Sequence, residues 1–299
     1  MKHWTSNNIT SQKGKTVIIT GGTSGLGYET AVALAHAGAS VIITGRDADK
    51  GRQIVQTIKA DGPNADVVFE VLDLADLKSV TAFAKRTLKK LERLDILINN
   101  AGVMTPPKRI QTKDGFELQF GANYLGHFAL TMKIMPLLTK AQGRVVSLSS
   151  IAARSGMIDF DDLQAKKTYI PRKSYDQSKL ACLMFALELQ RYSDENNLGI
   201  TSVAAHPGIA RTNLLVRKDI EGYEGLLRRF VPFMFQPAAR GALPILFAAV
   251  SRDVQPGGYY GPDGFHELRG YPTSARIPEQ ALDIKNAQKL WTLSRDMIR

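Results

Sequence analysis

The sequence predicts a doubly wound parallel α/β sheet, three layers deep, in one domain. Short β-branched runs alternate with helical stretches along the chain, which is the pattern of βαβ units. The first run passes directly into a glycine-rich turn and then a helix. No repeat, low-complexity linker or shift in composition divides the 299 residues, and one α/β domain can use this length.

The elements follow in order. Residues 15–20 (KTVIIT) read as a buried strand, 21–27 as the glycine turn and 28–37 as the first helix. A second strand (40–44) and helix (49–59) follow, then a third strand (67–72) and helix (77–91). The fourth strand spans 94–99, and a long helix fills 116–138 after a loop holding Pro106 and Pro107. A fifth strand (143–149), a helix (174–192), a sixth strand (200–206), a helix (237–250) and a short last strand from 258 complete the pattern. Residues 1–12 are polar and read as a loose N-terminal arm before the domain at 13–299. Segments 151–173 and 212–236 depart from the rhythm as long connections after strand ends, where ligands bind in open α/β sheets.

Composition narrows the classes. A hydrophobic share of 44% supplies a large core. The single cysteine, Cys182, excludes an internal disulfide and a cysteine metal cluster, and it falls in an apolar helix where an inert buried thiol is expected. No metal site is expected. No apolar run reaches the roughly 18 residues of a membrane span, and the polar start lacks a signal core. A cytoplasmic location follows as an expectation. The net charge is +11, but the basic residues are scattered in pairs such as Lys85/Arg86 and Lys166/Lys167. Without a basic stripe or interleaved aromatics, nucleic acid is not expected as a partner; phosphate-bearing small ligands are.

Gly21, Gly25 and Gly27 are spaced G-x-x-x-G-x-G between a strand and a helix. Glycines there permit a tight turn and close approach of a pyrophosphate, which the free N–H groups of the helix start attract. Thr23, Ser24 and Leu26 complete that loop. The second strand ends in Thr44-Gly45-Arg46. An acid at this strand end would hold ribose hydroxyls; glycine followed by arginine suits a 2′-phosphate instead, so NADP is expected over NAD. Asp47, one residue further, reads as the cap of the next helix.

Tyr175 and Lys179 are four residues apart and so share a helix face. An ammonium beside a phenol favours the phenolate, and such a pair can exchange protons with alcohols and carbonyls. Tyr169 and Lys173 repeat the spacing, but Pro171 between them disfavours one continuous helix. Beyond Tyr175, residues Leu180, Leu183, Met184 and Leu187 recur at helical spacing, so the second pair has the helix its geometry needs.

Taken in order, these motifs resemble the short-chain dehydrogenase/reductase family over nearly the whole chain. Besides the glycine loop, Asp73-Leu74 resemble the adenine-contacting pair and Asn99-Asn100-Ala101-Gly102 the motif beside the adenosine ribose. Asn123 resembles the family's helix asparagine, Ser150 the second serine of its serine motif, and Tyr175 with Lys179 its catalytic pair. Pro207-Gly208, with Thr212 after it, resembles the stretch beside the nicotinamide. The resemblance implies an NADP(H)-dependent oxidoreductase in which Ser150 positions the substrate oxygen, Tyr175 exchanges its proton, Lys179 supports the tyrosine and holds ribose, and Asn123 holds a water linked to Lys179. His127 and His206 are expected to be structural.

Ser150 and Tyr175 lie further apart than in many family members. The extra length, the Gly45-Arg46 strand end and Asn123-Tyr-Leu-Gly-His-Phe128 resemble the retinol-dehydrogenase-like and protochlorophyllide-reductase-like branch, which implies a hydrophobic alcohol or carbonyl substrate. Leu214, Leu215, Leu226, Leu227, Phe230, Phe233 and Phe235 are candidates to line its pocket. The resemblance also implies a homodimer or homotetramer built through the helices at 116–138 and 174–192. A catalytically silent NADP-sensing protein on the same fold is the alternative reading.

Overall fold

The structure is a computed structural model that describes residues 3–210 and 236–299. Its strands are β1 (Thr16–Thr20), β2 (Ser40–Gly45), β3 (Asp66–Val71), β4 (Ile96–Asn99), β5 (Arg144–Leu148), β6 (Thr201–Ala205), β7 (Tyr259–Pro262) and β8 (Pro272–Ser274). They form one sheet ordered β3-β2-β1-β4-β5-β6-β7-β8, parallel throughout except for β8, which runs antiparallel to β7. The helices are α1 (Gly25–His36), α2 (Ala48–Asp61), α3 (Leu77–Lys90), α4 (Gly126–Ala141), α5 (Pro171–Glu195), α6 (Ala238–Gly241), α7 (Leu243–Val250), α8 (Glu279–Leu282) and α9 (Ile284–Met297).

The strand residues alternate between two cores, as a period of two requires. Ile18 joins the core beneath α3, α4 and α5, while Val17 and Ile19 join the core beneath α1, α2 and α7. All three are wholly buried, which is why β1 reads as a continuous apolar run. The parallel strands bring the loops after β1, β2, β3, β4, β5 and β6 to one edge. Strand order reverses between β1 and β4, and this opens the crevice in which doubly wound sheets bind ligands.

Several expectations are corrected. The helix expected at 116–138 opens as a π-helical turn, Phe120–Leu125, before α4. There the Asn123 carbonyl accepts from His127 Nδ1 at 2.8 Å and Cys182 Sγ at 3.1 Å, side-chain bonds that compete with the backbone ladder. The helix expected at 237–250 divides into α6 and α7 near Pro244, which lacks the N–H for the ladder. The polar start is held at Trp4 and Gln12. Trp4 packs edge-on against Phe247, and Gln12 is buried with its N–H on Ala37 O at 2.8 Å.

The expected pattern ends with the strand from 258, but the chain folds on beyond it. β8, α8 and α9 follow β7, and α9 carries Ala287, Leu290, Trp291 and Ser294 inward behind an Asp283 cap. Trp291 sits 5.0 Å from Phe128, 5.9 Å from Phe185 and 5.2 Å from Tyr192 between ring centroids. Tyr124 Oη and Ser294 Oγ are 2.6 Å apart. The helices expected to meet another copy are therefore covered along this face by the chain's own C-terminal helix. Among the described residues no helix is long and apolar enough to cross a membrane.

Candidate active site

The nucleotide side is built around Thr20 at the end of β1. Its Oγ1 accepts the N–H groups of Asn100 at 2.9 Å and Ala101 at 3.0 Å, and lies 2.8 Å from His127 Nε2. Asn100 Nδ2 donates back to Thr20 O at 2.7 Å and Gly21 O at 3.3 Å. The Asn100 side chain is thus a brace for the glycine loop. This explains Gly27, where a Cβ would stand 2.5 Å from Asn100 Nδ2. Gly21 turns at φ 67°, and α1 begins at Gly25, inside the expected turn. Ser24 precedes α1 with no side-chain bond to its first N–H groups, so among the described residues it leaves those donors for an anion. The cradle left by the missing Cβ atoms and these free donors fit a dinucleotide.

Arg46 follows β2, exposed, with no side-chain partner among the described residues. Asp47 Oδ1 accepts Lys50 N–H at 3.0 Å and caps α2, as its position suggested. Asp73 does not cap α3. Its Oδ1 takes Ala75 N–H at 3.0 Å, and Asp76 is the cap, accepting from Lys78 and Ser79 N–H. Leu74 is buried in the core beside it.

Tyr175 and Lys179 lie in the first turns of α5, 8% and 5% exposed, with Lys179 Nζ 5.9 Å from the centre of the tyrosine ring. Lys179 Nζ donates to Leu148 O at 3.1 Å. Ser149 and Ser150 part company at the end of β5. Ser149 is buried and donates its hydroxyl to Lys179 O at 2.8 Å; Ser150 is half-buried and caps the short 3₁₀ turn Ile151–Ser155. Gly156 lets that turn press onto α5, since a Cβ there would lie 2.6 Å from Asp176 O. The turn carrying Ser150 is thereby held beside Tyr175.

Asn123 is 1% exposed, and its side chain is engaged: Nδ2 donates to Val103 O and Ser178 Oγ, both at 3.0 Å, and Oδ1 accepts Val103 N–H at 2.7 Å. A Cβ on Gly102 would lie 3.2 Å from Asn123 Oδ1 and 3.6 Å from Lys179 Nζ, so Gly102 lies where these two groups converge. His127 joins the two halves of the site. A carbonyl cannot donate, so Nδ1–H donates to Asn123 O and Nε2 accepts the Thr20 hydroxyl. Burial pushes this imidazole down to about 4.

The other Tyr-x-x-x-Lys pair is separated. Pro171 is the first residue of α5, which leaves Tyr169 outside the helix, donating its hydroxyl to Pro106 O at 2.7 Å. Burial, with Glu117 nearby, pushes the Tyr169 phenol up to about 12. The connection before it is ordered by its own carboxylates: Asp162 accepts the N–H groups of Lys166 and Lys167.

Pro207 and Gly208 follow β6 on the same edge. Thr212 and the apolar residues expected to line a pocket, Leu214, Leu215, Leu226, Leu227, Phe230, Phe233 and Phe235, lie outside the described residues. Sequence reading missed Thr20, Asp176, Gln177 and Ser178. The last three grip Ser155, the 159–163 segment and Asn123 in turn, and the signal was available: polar residues on what proves a buried helix. Among the described residues no cluster of acids, histidines or cysteines could hold a metal ion.

Residues 15–221 match the short chain dehydrogenase family. The chain is 41% identical over 287 residues to retinol dehydrogenase 12 of Mus musculus, covering 95% of this chain and 86% of that one. It is 38% identical over 253 residues to polyprenol dehydrogenase of Homo sapiens, covering 82% and 76%. The crystal structure of an uncharacterized protein from Mycobacterium paratuberculosis matches 99% of this chain and 98% of its own, with a TM-score of 0.82 and 36% identity. With that ancestry, and a site in which the family's motifs meet at one sheet edge, the chain belongs to the short-chain dehydrogenase/reductase family of nicotinamide-dependent oxidoreductases.

Proposed function

We propose that the chain is an NADP(H)-dependent oxidoreductase that interconverts a hydrophobic alcohol and its carbonyl compound, with Tyr175 as general acid and base. One observation carries the reading: Tyr175, Lys179 and the turn of Ser150 are packed together at the edge that also bears the glycine loop. Arg46 after β2, exposed and without a side-chain partner among the described residues, supports a 2′-phosphate. Relatives named for retinol and polyprenol support an apolar alcohol.

The backbone of Gly21, Thr23, Ser24, Gly25, Leu26 and Gly27 would hold the pyrophosphate, and Asp73 with Leu74 the adenine. Asn100, Ala101 and Gly102 would border the ribose, and Pro207, Gly208 and Thr212 the nicotinamide. Bound NADP(H) supplies or accepts the hydride. Ser150 Oγ positions the substrate oxygen by a hydrogen bond. Tyr175 gives its proton to that oxygen during reduction and takes it back during oxidation. Lys179 sets a positive charge beside the phenol and holds the nicotinamide ribose. Asn123 has its carbonyl and both amide hydrogens engaged, so a water linked to Lys179 would have to use the remaining lone pair of Oδ1.

The test is turnover of NADPH and of NADH against a panel of hydrophobic aldehydes, ketones and quinones. NADPH-dependent reduction of at least one apolar carbonyl is expected. Tight NADPH binding with no turnover across the panel would favour the silent sensing protein.

A further inference from the structure

The segment after β7 holds strain that the sheet does not require. His266 and Glu267 both stand in the left-handed region, at φ 51° and 59°, although neither is glycine. Such backbone persists where its surroundings over-determine it, and it gathers at functional sites. What holds Glu267 is its carboxylate. Oε2 accepts from His206 Nε2 at 2.7 Å and pairs with Arg154 Nη2 at 2.6 Å, and Oε1 accepts Arg276 N–H at 3.1 Å. His206 is wholly buried, and its Nδ1 accepts Gly208 N–H at 3.2 Å, so Nε2 carries the hydrogen that reaches the carboxylate.

Each partner leads to a different part of the site. Arg154 belongs to the turn that follows Ser150, and its Nη1 also donates to His266 O at 3.2 Å. His206 and the Leu268 carbonyl back the loop after β6. Gly208 takes φ 64° there with Leu268 O against it, and Ile209 N–H donates to Leu268 O at 2.8 Å. The His206 ring packs 5.1 Å from the Tyr259 ring, and Tyr259 donates its hydroxyl to Ser150 O at 3.2 Å. A single carboxylate therefore joins the Ser150 turn to the Pro207-Gly208 loop, and Tyr259 closes the link from the other side.

We infer that Glu267 is a positioning residue for the reaction: through Arg154 and His206 it fixes the spacing between Ser150 and the Pro207-Gly208 loop. This rests on the reading above, in which Ser150 holds the substrate oxygen and Gly208 borders the nicotinamide. The left-handed backbone at 266–267 is what delivers the carboxylate to both partners at once. An uncharged side chain of the same size cannot replace it: a glutamine that kept its oxygen on His206 and Arg154 would turn its amide hydrogens on the Arg276 N–H, and it carries no charge to pair with the guanidinium.

The test uses the full chain, with NADPH and a carbonyl compound that the wild type reduces. Glu267→Gln should lower kcat by roughly 10- to 100-fold, as expected when reacting groups shift by about an ångström. The KM for the carbonyl compound and the NADPH Kd, read by nicotinamide fluorescence, should stay within about threefold. Arg154→Met should reproduce the loss of kcat and Arg154→Lys should recover most of it. A purely structural role would lower the melting temperature and leave kcat unchanged well below it; that result, or equal kcat in wild type, Glu267→Gln and Arg154→Met, overturns the inference. Tyr175→Phe separates the two levels. If it is inactive while Glu267→Gln matches wild type, the positioning role alone fails; if it is as active as wild type, the underlying reading fails.

Discussion

Acid should weaken this fold through His127, and the size of the effect can be worked from its surroundings. The ring is neutral in the folded chain, donating from Nδ1 to Asn123 O and accepting the Thr20 hydroxyl at Nε2. Protonation would set an N–H against Thr20 Oγ1, which already accepts from Asn100 and Ala101 N–H. Burial lowers the folded value from 6.5 to about 4. Below 6.5 the unfolded chain therefore binds a proton that the folded chain refuses, so stability present above 6.5 is lost as pH falls toward 4. At 1.36 kcal/mol per unit, the full loss is about 3 kcal/mol, of which about 2.5 kcal/mol is spent by roughly pH 4.5. Urea unfolding of wild type and His127→Gln between about pH 7.5 and 4.5 reads it as a difference curve, in which the other titrating groups cancel. The variant should be less stable at neutral pH and lose less on acidification. A difference curve flat to within about 0.5 kcal/mol over that range would refute the reasoning.

Three further predictions concern the cofactor and the C-terminal helix. Arg46→Ala should weaken NADPH binding by roughly 10- to 100-fold, the worth of a charge-assisted hydrogen bond of about 1.5–3 kcal/mol, and leave NADH binding nearly unchanged; fluorescence titration checks it, and equal losses for both would contradict it. Trp291→Ala should cost about 3–5 kcal/mol, because the ring fills the space between Phe128, Phe185 and Tyr192. Because α9 packs on α5, trimming the chain after residue 282 should bare that apolar face and bring self-association or aggregation beyond the wild type's state, which sedimentation reads; an unchanged profile would contradict it.

Much of this could be read from sequence because parallel strands buried on both faces announce themselves as β-branched runs. Residues 15–20 and 40–44 came within a residue of β1 and β2. The glycine loop, Arg46 and the Tyr175–Lys179 pair were legible because each needs a fixed residue type at a fixed spacing. The choice between the two tyrosines followed from Pro171, which opens α5 and strands Tyr169 outside it. What escaped depends on contacts far apart in the chain. Nothing near Glu267 in sequence announces that its carboxylate reaches back to Arg154 and His206. The π-helical turn at Asn123 depends on a ring and a thiol that fold onto its carbonyl. α9 had a readable cap and periodicity; its effect on the α5 face needed the packing itself.

The central claim is that Tyr175 carries the proton. Its most direct measurement is single-turnover reduction of a hydrophobic carbonyl by protein saturated with NADPH, wild type against Tyr175→Phe. The NADPH Kd should be unchanged and the rate lowered by roughly 100- to 10,000-fold, the contribution of a positioned general acid. A Tyr175→Phe rate within about twofold of wild type, at equal NADPH occupancy, would contradict it.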